Sequence, residues 1–315
     1  MSSPLVTVVI PLHNKENFIQ ETIESVVAQS YKEIELVIID DASSDSSVDV
    51  ATNSLRFYQG RFSRVVIAST PNTGQTVARN EGIALASGEF VAFLDADDIW
   101  HSEKIEKQVK FLVKHKNVDL VLCDYLMFYQ NRSFVRAIRF LPVEKKILSW
   151  LLTTGFGGLL ESTGLARRTA LLSMAGFTSN LQMCGGLDLA FRFSSEENIG
   201  CVGEYLCAYR VTEQGWHNNK KDLVDSYNSL LLNDDLYGRF EKQIRRNLDL
   251  HLKLWSFRHS RDLKTFINLA FTSCKRPVSS FVYIALTGLR VFTAILRGSL
   301  FKRSSPLFWN ERTVE

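Results

Sequence analysis

The stretch Phe90-Val-Ala-Phe-Leu-Asp95-Ala-Asp97-Asp98-Ile-Trp100 joins a short apolar run to three carboxylates. The run from Phe90 to Leu94 predicts a fully buried strand, because four of its five residues are large and hydrophobic. In an open α/β sheet, ligands bind beyond the carboxyl ends of the strands, and an Asp-x-Asp pair can offer oxygen ligands to one hard cation. The stretch therefore predicts a site for a cation that carries a polyphosphate. An N-cap at Asp98 is the structural alternative, and it accounts for only one aspartate.

Three further apolar runs precede this strand. They are residues 6–10, 34–39 and 64–68. Helical segments separate the runs; the first has apolar residues at helical spacing, and the last is stopped by Gly88. Strands that alternate with helices predict a parallel α/β sheet. The second run is followed by Asp40 and Asp41, so two strands end in carboxylates and the polar edge of the sheet is acidic.

The composition is that of an ordinary globular protein. The chain has 315 residues, of which 45% are hydrophobic and 23% charged, with a net charge of +3. This charge is too small to argue for nucleic acid, and we expect no nucleic-acid partner. The five cysteines include no C-x-x-C pair, which is typical of reduced thiols in the cytoplasm. The first apolar run is too short for a secretory signal and lacks a basic leader, so we expect a cytoplasmic protein.

The polar residues of the predicted loops follow an ordered pattern. It reads Pro11-x-x-Asn14, Asp40-Asp41-x-Ser43-x-Asp45, Asn72-x-Gly74, Ala78-Arg79-Asn80-x-Gly82, Ala86-x-Gly88 and Phe93-Leu94-Asp95-x-Asp97-Asp98-x-Trp100, with Lys104 and Gln108 beyond. This order resembles the family 2 glycosyltransferases of the GT-A fold, and an ordered set is far more specific than a single motif. The resemblance implies an α/β protein with a mixed sheet flanked by helices. It also implies a nucleotide-sugar donor, with a UDP-sugar favoured.

The resemblance implies roles for individual residues. Asp41 is expected to contact the nucleobase, Asp95 to lie near the ribose and diphosphate, and Asp97 to coordinate Mn²⁺ or Mg²⁺. The other expected donor contacts are Pro11, His13, Asn14 and Arg79. His13 stands where the family often has a tyrosine, and a surface salt bridge is the structural alternative for Arg79. His217, in a segment that resembles a lid, is a second candidate metal ligand, with a purely structural histidine as the alternative.

The segment that should carry the catalytic base departs from the family pattern. The family has an acidic Glu-Asp pair, whose Asp is the base, before a helix reading x-Asp-Leu-x-x-Arg. Matching Asp188 and Arg192 to that helix places Gly185-Gly186 on the acidic pair. Inverting transfer needs a base for the proton of the acceptor hydroxyl, and Asp188 is the nearest candidate. A structural aspartate at a helix N-terminus is the alternative for Asp188, and Glu161 is a more distant candidate base.

Residues 104–209 are expected to build the acceptor side. The pattern predicts a strand at residues 118–123, a hairpin of residues 126–129 and 134–140 that turns at Asn131-Arg132, and a last strand at residues 205–210. The glycines of residues 155–158 follow no clear strand and lack the third glycine of a dinucleotide fingerprint, which favours a mobile acceptor loop.

The last third of the chain predicts helices. We expect a glycosyltransferase domain at residues 1–218 and a helical extension at residues 219–315. Residues 278–296 have one apolar face and basic flanks, which suits an interfacial helix at the inner face of the cytoplasmic membrane. A spanning helix would bury Arg290 at a cost of about 2.5–3.5 kcal/mol, and docking on the chain's own catalytic domain or on a second subunit is the third possibility.

Two functions from different classes follow. The first is a metal-dependent, inverting transferase that acts on a cell-envelope glycan or a lipid-linked acceptor. The Gln-x-x-Arg-Trp motif of processive enzymes is absent from the sequence, so we expect single transfers. The second is a nucleotide-sugar-binding partner protein that has lost the base. Gly186 is the residue that separates the two hypotheses.

Overall fold

The computed structural model describes residues 3–129, 134–138, 161–179, 181, 185–194, 198–212 and 220–232, with residues 241, 242, 245, 249 and 252. The chain divides into two compact units: residues 1–145 with 158–212, and residues 146–157 with 213–315. The described helix of the second unit is α7, Lys220–Leu231. The assignment of domains at residues 1–218 and 219–315 stays a prediction. Within the described residues, no helix is long and apolar enough to cross a membrane.

The first part of the chain alternates strands and helices, as the sequence predicts. The elements are β1 Val6–Leu12, α1 Ile19–Val27, β2 Ile34–Asp40, α2 Ser47–Arg56, β3 Arg64–Ser69, α3 Gln75–Leu85 and β4 Phe90–Phe93. Strand β1 pairs in parallel with both β2 and β4, and β2 pairs in parallel with β3. The carboxyl ends of β1, β2 and β4 therefore meet at one edge of the sheet.

The second part adds antiparallel strands and makes the sheet mixed. Its elements are β5 Ile99–Trp100, α4 Lys104–Lys114, β6 Leu120–Tyr129, β7 Phe134–Ile138, a 3₁₀ turn Glu161–Thr163, β8 Leu165–Arg167, α5 Arg168–Ser173, α6 Gly185–Ser194 and β9 Ile199–Val211. Across the described residues, nine strands form one sheet in the order β3-β2-β1-β4-β8-β6-β9-β5, with β7 on β6. Strand β8 runs antiparallel to β4. The predicted mixed sheet is confirmed.

Three strand boundaries differ from the prediction. Strand β6 is continuous where the sequence predicts two segments, because a shift in its register to β9 at Asp124 keeps the pairing going. Strand β9 also begins earlier than predicted, at Ile199. Strand β1 continues through Pro11, which is tolerated because the pairing of β1 with β4 ends at Val9. Strands β6 and β7 form the predicted hairpin; its turn and residues 155–158 lie outside the described residues.

The core lies under the central strands. Every residue of β1, β2 and β4 is buried, and the apolar face of α1 (Ile19, Ile23, Val26) packs in the same cluster. Burying one such side chain contributes about 1.5–3 kcal/mol. A Cβ on Gly88 would lie 2.7 Å from the Thr7 nitrogen, so the turn before β4 needs glycine. This packing holds the acidic loops at the sheet edge in fixed positions.

Candidate functional site

Asp41 follows β2 and organises the loop after β3. Its carboxylate is buried and accepts hydrogen bonds from the main-chain N–H groups of Thr73 at 2.7 Å and Gly74 at 2.8 Å. The Thr70 hydroxyl donates to the same group at 3.0 Å. Asp41 therefore shapes one wall of the sheet edge, and its expected contact with a nucleobase stays a prediction.

The loop after β1 is tied to the loop after β2. His13 Nδ1 lies 2.7 Å from the Asp41 carbonyl oxygen. The Asn14 N–H donates to Ser43 Oγ at 3.0 Å, and Asn14 Oδ1 accepts from the Ser44 N–H at 2.8 Å. Asn14 has a φ of 50°, a left-handed conformation that asparagine tolerates better than most residues. The structure thus brings the predicted residues His13, Asn14 and Asp41 together.

Asp98 is the buried anchor of the loop after β4. It is fully buried and accepts hydrogen bonds from Ser162 Oγ at 2.6 Å and from the Arg210 N–H at 3.0 Å. Burial raises the pKa of Asp98 well above its usual range, and the nearby Asp97 and Asp95 raise it further. The N-cap alternative for Asp98 is wrong, since the next helix begins at Lys104.

Asp97 reaches the surface of this cluster. Its side chain is 16% exposed, and its Oδ2 forms an ion pair with Lys15 Nζ at 2.6 Å. Burial raises the pKa of Asp97, Lys15 opposes this, and Asp95 adds to it. Arg210 holds the main chain here, because its Nε donates to the Asp97 carbonyl oxygen at 2.8 Å. The Asp97 carboxylate thus faces the Lys15 ammonium, while Arg210 holds the main chain of Asp97.

Arg79 lies between two carboxylates. It is only 2% exposed; its Nη2 pairs with Asp95 at 2.6 Å and its Nη1 lies 3.4 Å from Glu161 Oε1. Burial disfavours the guanidinium charge, but Glu161 and Asp95 outweigh it and raise the pKa of Arg79. Arg79 Nε has no hydrogen-bond partner among the described residues. Arg79 therefore does form a salt bridge, as the structural alternative supposes, but the pair is buried and not at the surface.

The two candidate bases have different surroundings. Asp188 is 1% exposed and its Oδ2 accepts from Thr178 Oγ1 at 2.9 Å and from Arg192 Nη2 at 2.5 Å. These contacts favour the structural alternative for Asp188, and its role as base stays a prediction. Glu161 Oε1 instead accepts from the Gly186 N–H at 2.9 Å, and burial raises the pKa of Glu161.

Three residues of the site were not predicted from the sequence: Lys15, Ser162 and Arg210. Lys15 directly follows the Pro11-x-x-Asn14 motif, which could have pointed to it. Ser162 Oγ accepts from the Asp95 N–H at 3.0 Å, and no local pattern marks it. Arg210 lies one residue before the end of β9 and pairs with Glu21 at 2.7 Å. Its partners come from far along the chain, so only the folded structure connects them.

Only part of the expected metal site lies within the residues that the structure describes. His217 lies outside the described residues. Among the residues that are described, no group of three or more His, Cys, Asp or Glu side chains is arranged to hold a metal ion. Any cation at Asp97 would therefore need ligands from a bound substrate or from elsewhere in the chain.

Comparison with known proteins decides the family. The sequence profile of the family described as Glycosyl transferase family 2 matches residues 7–171. TuaG of Bacillus subtilis, a glycosyltransferase assigned to teichuronic acid biosynthesis, is 39% identical over 225 residues, which cover 69% of this chain and 85% of TuaG. The chain belongs to glycosyl transferase family 2. The resemblance recognised in the sequence is confirmed.

Two further proteins extend the comparison. WfaP of Escherichia coli, named as a UDP-Glc:α-D-GlcNAc-diphosphoundecaprenol β-1,3-glucosyltransferase, is 26% identical over 245 residues, 77% of this chain and 84% of WfaP. The mannosyltransferase PcManGT of Pyrobaculum calidifontis, solved with GDP-Man and Mn²⁺, gives a TM-score of 0.60 at 16% identity. That alignment covers 94% of this chain and 87% of PcManGT, and it confirms the GT-A fold.

Proposed function

We propose that this family 2 glycosyltransferase moves a sugar from a nucleoside diphosphate donor, with UDP favoured, to a glycan or lipid-linked acceptor of the cell envelope. The observation that carries the proposal is the set of acidic loops at one sheet edge, where Asp41, Asp95 and Asp97 lie at the carboxyl ends of β2 and β4. This is the edge at which open α/β sheets bind ligands. The names of TuaG and WfaP support the cell-envelope acceptor.

A divalent cation fits at Asp97. Mg²⁺ and similar ions are often held by one or two carboxylates together with substrate phosphates, so a cluster of three protein ligands is not needed. Burial is the main reason that the pKa of Asp97 is raised although Lys15 lies beside it, and a bound cation would favour the ionised carboxylate. When bound, Mn²⁺ or Mg²⁺ stabilises the negative charge that grows on the leaving diphosphate.

Other residues of the chain are suited to bind the nucleobase and the diphosphate. The hydrogen-bonded loops around Asp41, His13 and Asn14 offer a wall for the nucleobase. Arg79 keeps its guanidinium charged beside Asp95, and Lys15 places a second positive charge beside Asp97. Both cations can attract a diphosphate, because charge-assisted hydrogen bonds to phosphate are among the strong ones.

Other parts of the proposal concern residues that the structure does not describe. The lid with His217 and the interfacial helix at residues 278–296 are proposed from the sequence, as is attachment to the inner face of the cytoplasmic membrane. Inversion and single transfer also stay proposals. The competing function, a nucleotide-sugar-binding partner protein, is favoured only by the missing acids at Gly185-Gly186.

A donor screen tests the proposal. Full-length protein is incubated with Mn²⁺ and, in turn, UDP-glucose, UDP-N-acetylglucosamine and GDP-mannose, and the released nucleotide is measured. The proposal predicts release from one donor far above the others, and loss of that release when EDTA removes the cation. Binding of UDP without release from any donor would instead favour the partner-protein function. A protein that neither binds UDP nor releases nucleotide from any donor would overturn both functions.

A further inference from the structure

We propose that Glu161 is the catalytic base of this enzyme. It takes the place of the family's acidic pair, at whose positions this chain has Gly185 and Gly186. The inference rests on the proposed function and assigns one of its chemical roles. Glu161 comes from the 3₁₀ turn before β8, whereas the family carries its acids at the start of the helix that corresponds to α6.

The Glu161 carboxylate lies at the position that the two glycines vacate. Its Oε1 accepts the Gly186 N–H at 2.9 Å, although the two residues are 25 positions apart in the chain. A Cβ built on Gly185 would lie 3.6 Å from the same oxygen and 2.9 Å from Thr76 Cγ2. A larger residue at Gly185 would therefore be crowded. The glycines leave room for a carboxylate that arrives from another element.

Glu161 is also fixed relative to the expected donor site. Arg79 connects it to Asp95, with contacts of 3.4 Å and 2.6 Å from the same guanidinium. The next residue, Ser162, accepts the Asp95 N–H and donates to Asp98. The acidic loop after β4 and the Glu161 turn therefore form one connected unit. A base must be held in this way, since small displacements of reacting groups reduce the rate strongly.

One oxygen of Glu161 is available for a proton. Among the described residues, the contacts from Arg79 and Gly186 both fall on Oε1, the main-chain N–H of Glu161 also donates to its own carboxylate, and the side chain is 16% exposed. Asp188, in contrast, is 1% exposed and is held by Thr178 and Arg192. A base needs an accessible lone pair within hydrogen-bond reach of the acceptor hydroxyl. The Glu161 carboxylate meets this condition better than that of Asp188.

The surroundings of Glu161 also suit proton transfer. The charged groups that face it are Arg79 from α3 and Asp95 from the loop after β4, and the Gly186 N–H lies at the start of α6. Burial raises the pKa of Glu161, Arg79 opposes this, and Asp95 adds to it. A carboxylate with a raised pKa is a stronger base than an exposed one, and an effective base has a pKa near the working pH.

Glu161 Oε2 accepts the proton of the acceptor hydroxyl while the hydroxyl oxygen forms a bond to the anomeric carbon of the donor sugar. The bond from that carbon to the diphosphate oxygen breaks, and its electron pair leaves with the nucleoside diphosphate. The products are the glycosylated acceptor, the nucleoside diphosphate and a protonated Glu161, which then returns its proton to water.

Glu161→Gln is the decisive variant, because it keeps the shape of the side chain and removes the basic oxygen. With the donor that gives release in the screen, Glu161→Gln should lower kcat by about 100-fold or more. Its affinity for UDP with Mn²⁺, measured by calorimetry, should stay within a few-fold of wild type. Glu204→Gln, which makes the same change on an exposed glutamate, serves as the matched control.

Azide separates a base from a residue that only positions Arg79. Azide is already an anion and attacks the anomeric carbon without giving up a proton. In Glu161→Ala, azide should therefore restore nucleotide release and yield a glycosyl azide. Wild-type turnover in Glu161→Gln, a parallel loss of UDP affinity without azide rescue, or a kcat loss confined to Asp188→Asn would each overturn the inference. A wild-type protein that releases no nucleotide would overturn the proposed function and this inference with it.

Discussion

The two ends of the central strands both contain buried carboxylates, but the carboxylates are stabilised in opposite ways. Glu35, at the amino end of β2, is fully buried and accepts hydrogen bonds from Thr7 Oγ1 at 2.5 Å and Arg64 Nη1 at 2.7 Å. The N–H and Oγ of Ser87 donate to it at 2.9 Å each. Burial disfavours the charge of Glu35, but these donors outweigh burial and lower its pKa.

At the carboxyl end of the strands, burial outweighs the contacts that favour the ionised carboxylates. Burial raises the pKa of Asp97 and of Asp98, and the neighbouring carboxylates raise it further. Lys15 and Ser162 offset only part of this. The amino end therefore stabilises its ionised carboxylate, whereas at the carboxyl end burial leaves the ionised forms of Asp97 and Asp98 disfavoured. Clusters of carboxylates whose charge is poorly compensated are typical of functional sites, and a cation that arrives with a diphosphate would complete this one.

The largest effect is expected for Asp97→Asn. If Asp97 holds the cation, the affinity for UDP in the presence of Mn²⁺ should fall by about 100-fold or more, because the cation brings two positive charges between the diphosphate and the carboxylates. Calorimetry with UDP measures this, with Asp49→Asn on the exposed side of α2 as the control. Equal affinity of wild type and Asp97→Asn, or of wild type with and without EDTA, would show that the carboxyl end needs no cation.

The comparison also shows which features can be predicted from sequence. The apolar runs of β1, β2 and β4 predict buried parallel strands, and the motif residues His13, Asn14 and Asp41 do lie together. These features depend on residues close together in the chain. The motif at Asp95 to Asp98 likewise marks the acidic edge, because all of its carboxylates follow one strand.

The contacts that complete the site could not be predicted in this way. Arg210 reaches Asp97 from 113 positions away, and Lys15 reaches it from 82 positions away. Glu161 meets Gly186 only because β8 runs antiparallel to β4 and brings the 3₁₀ turn to the acidic edge. No local spacing encodes such pairings. This is why the missing acidic pair suggests Asp188, the nearest carboxylate in sequence, whereas the folded chain places another one at the glycines.

A smaller effect, this time on stability, is expected at the amino end. Glu35→Gln replaces an acceptor for four donor contacts with an amide that accepts at one atom only. It should lower the free energy of unfolding by about 2 kcal/mol, as is typical of lost hydrogen bonds to a charged group. Urea denaturation measures this, and the affinity for UDP should not change. A loss of UDP affinity without a loss of stability would contradict the division of roles between the two ends.

The smallest effect is the pH dependence of that loss. The pKa of Glu35 is lower in the folded chain than the ordinary value of 4.5, so above that value both states are ionised and the full stabilisation is present. As the pH falls below 4.5, the unfolded chain binds the proton first and the stabilisation is lost progressively. Urea denaturation at neutral pH and at about pH 4 should show a smaller difference between wild type and Glu35→Gln in acid.

The difference in stability between wild type and Glu35→Gln separates the effect of Glu35 from that of the carboxylates at the other end of the sheet. The raised pKa values of Asp97 and Asp98 mean that the folded state binds their protons more tightly than the unfolded state, so acid relieves their repulsion. Their contribution has the opposite sign and is present in both wild type and Glu35→Gln, so it cancels in the difference. A difference that stays constant with pH would mean that folding does not lower the pKa of Glu35, and a difference that grows in acid would mean that Glu35 behaves like Asp97 and Asp98.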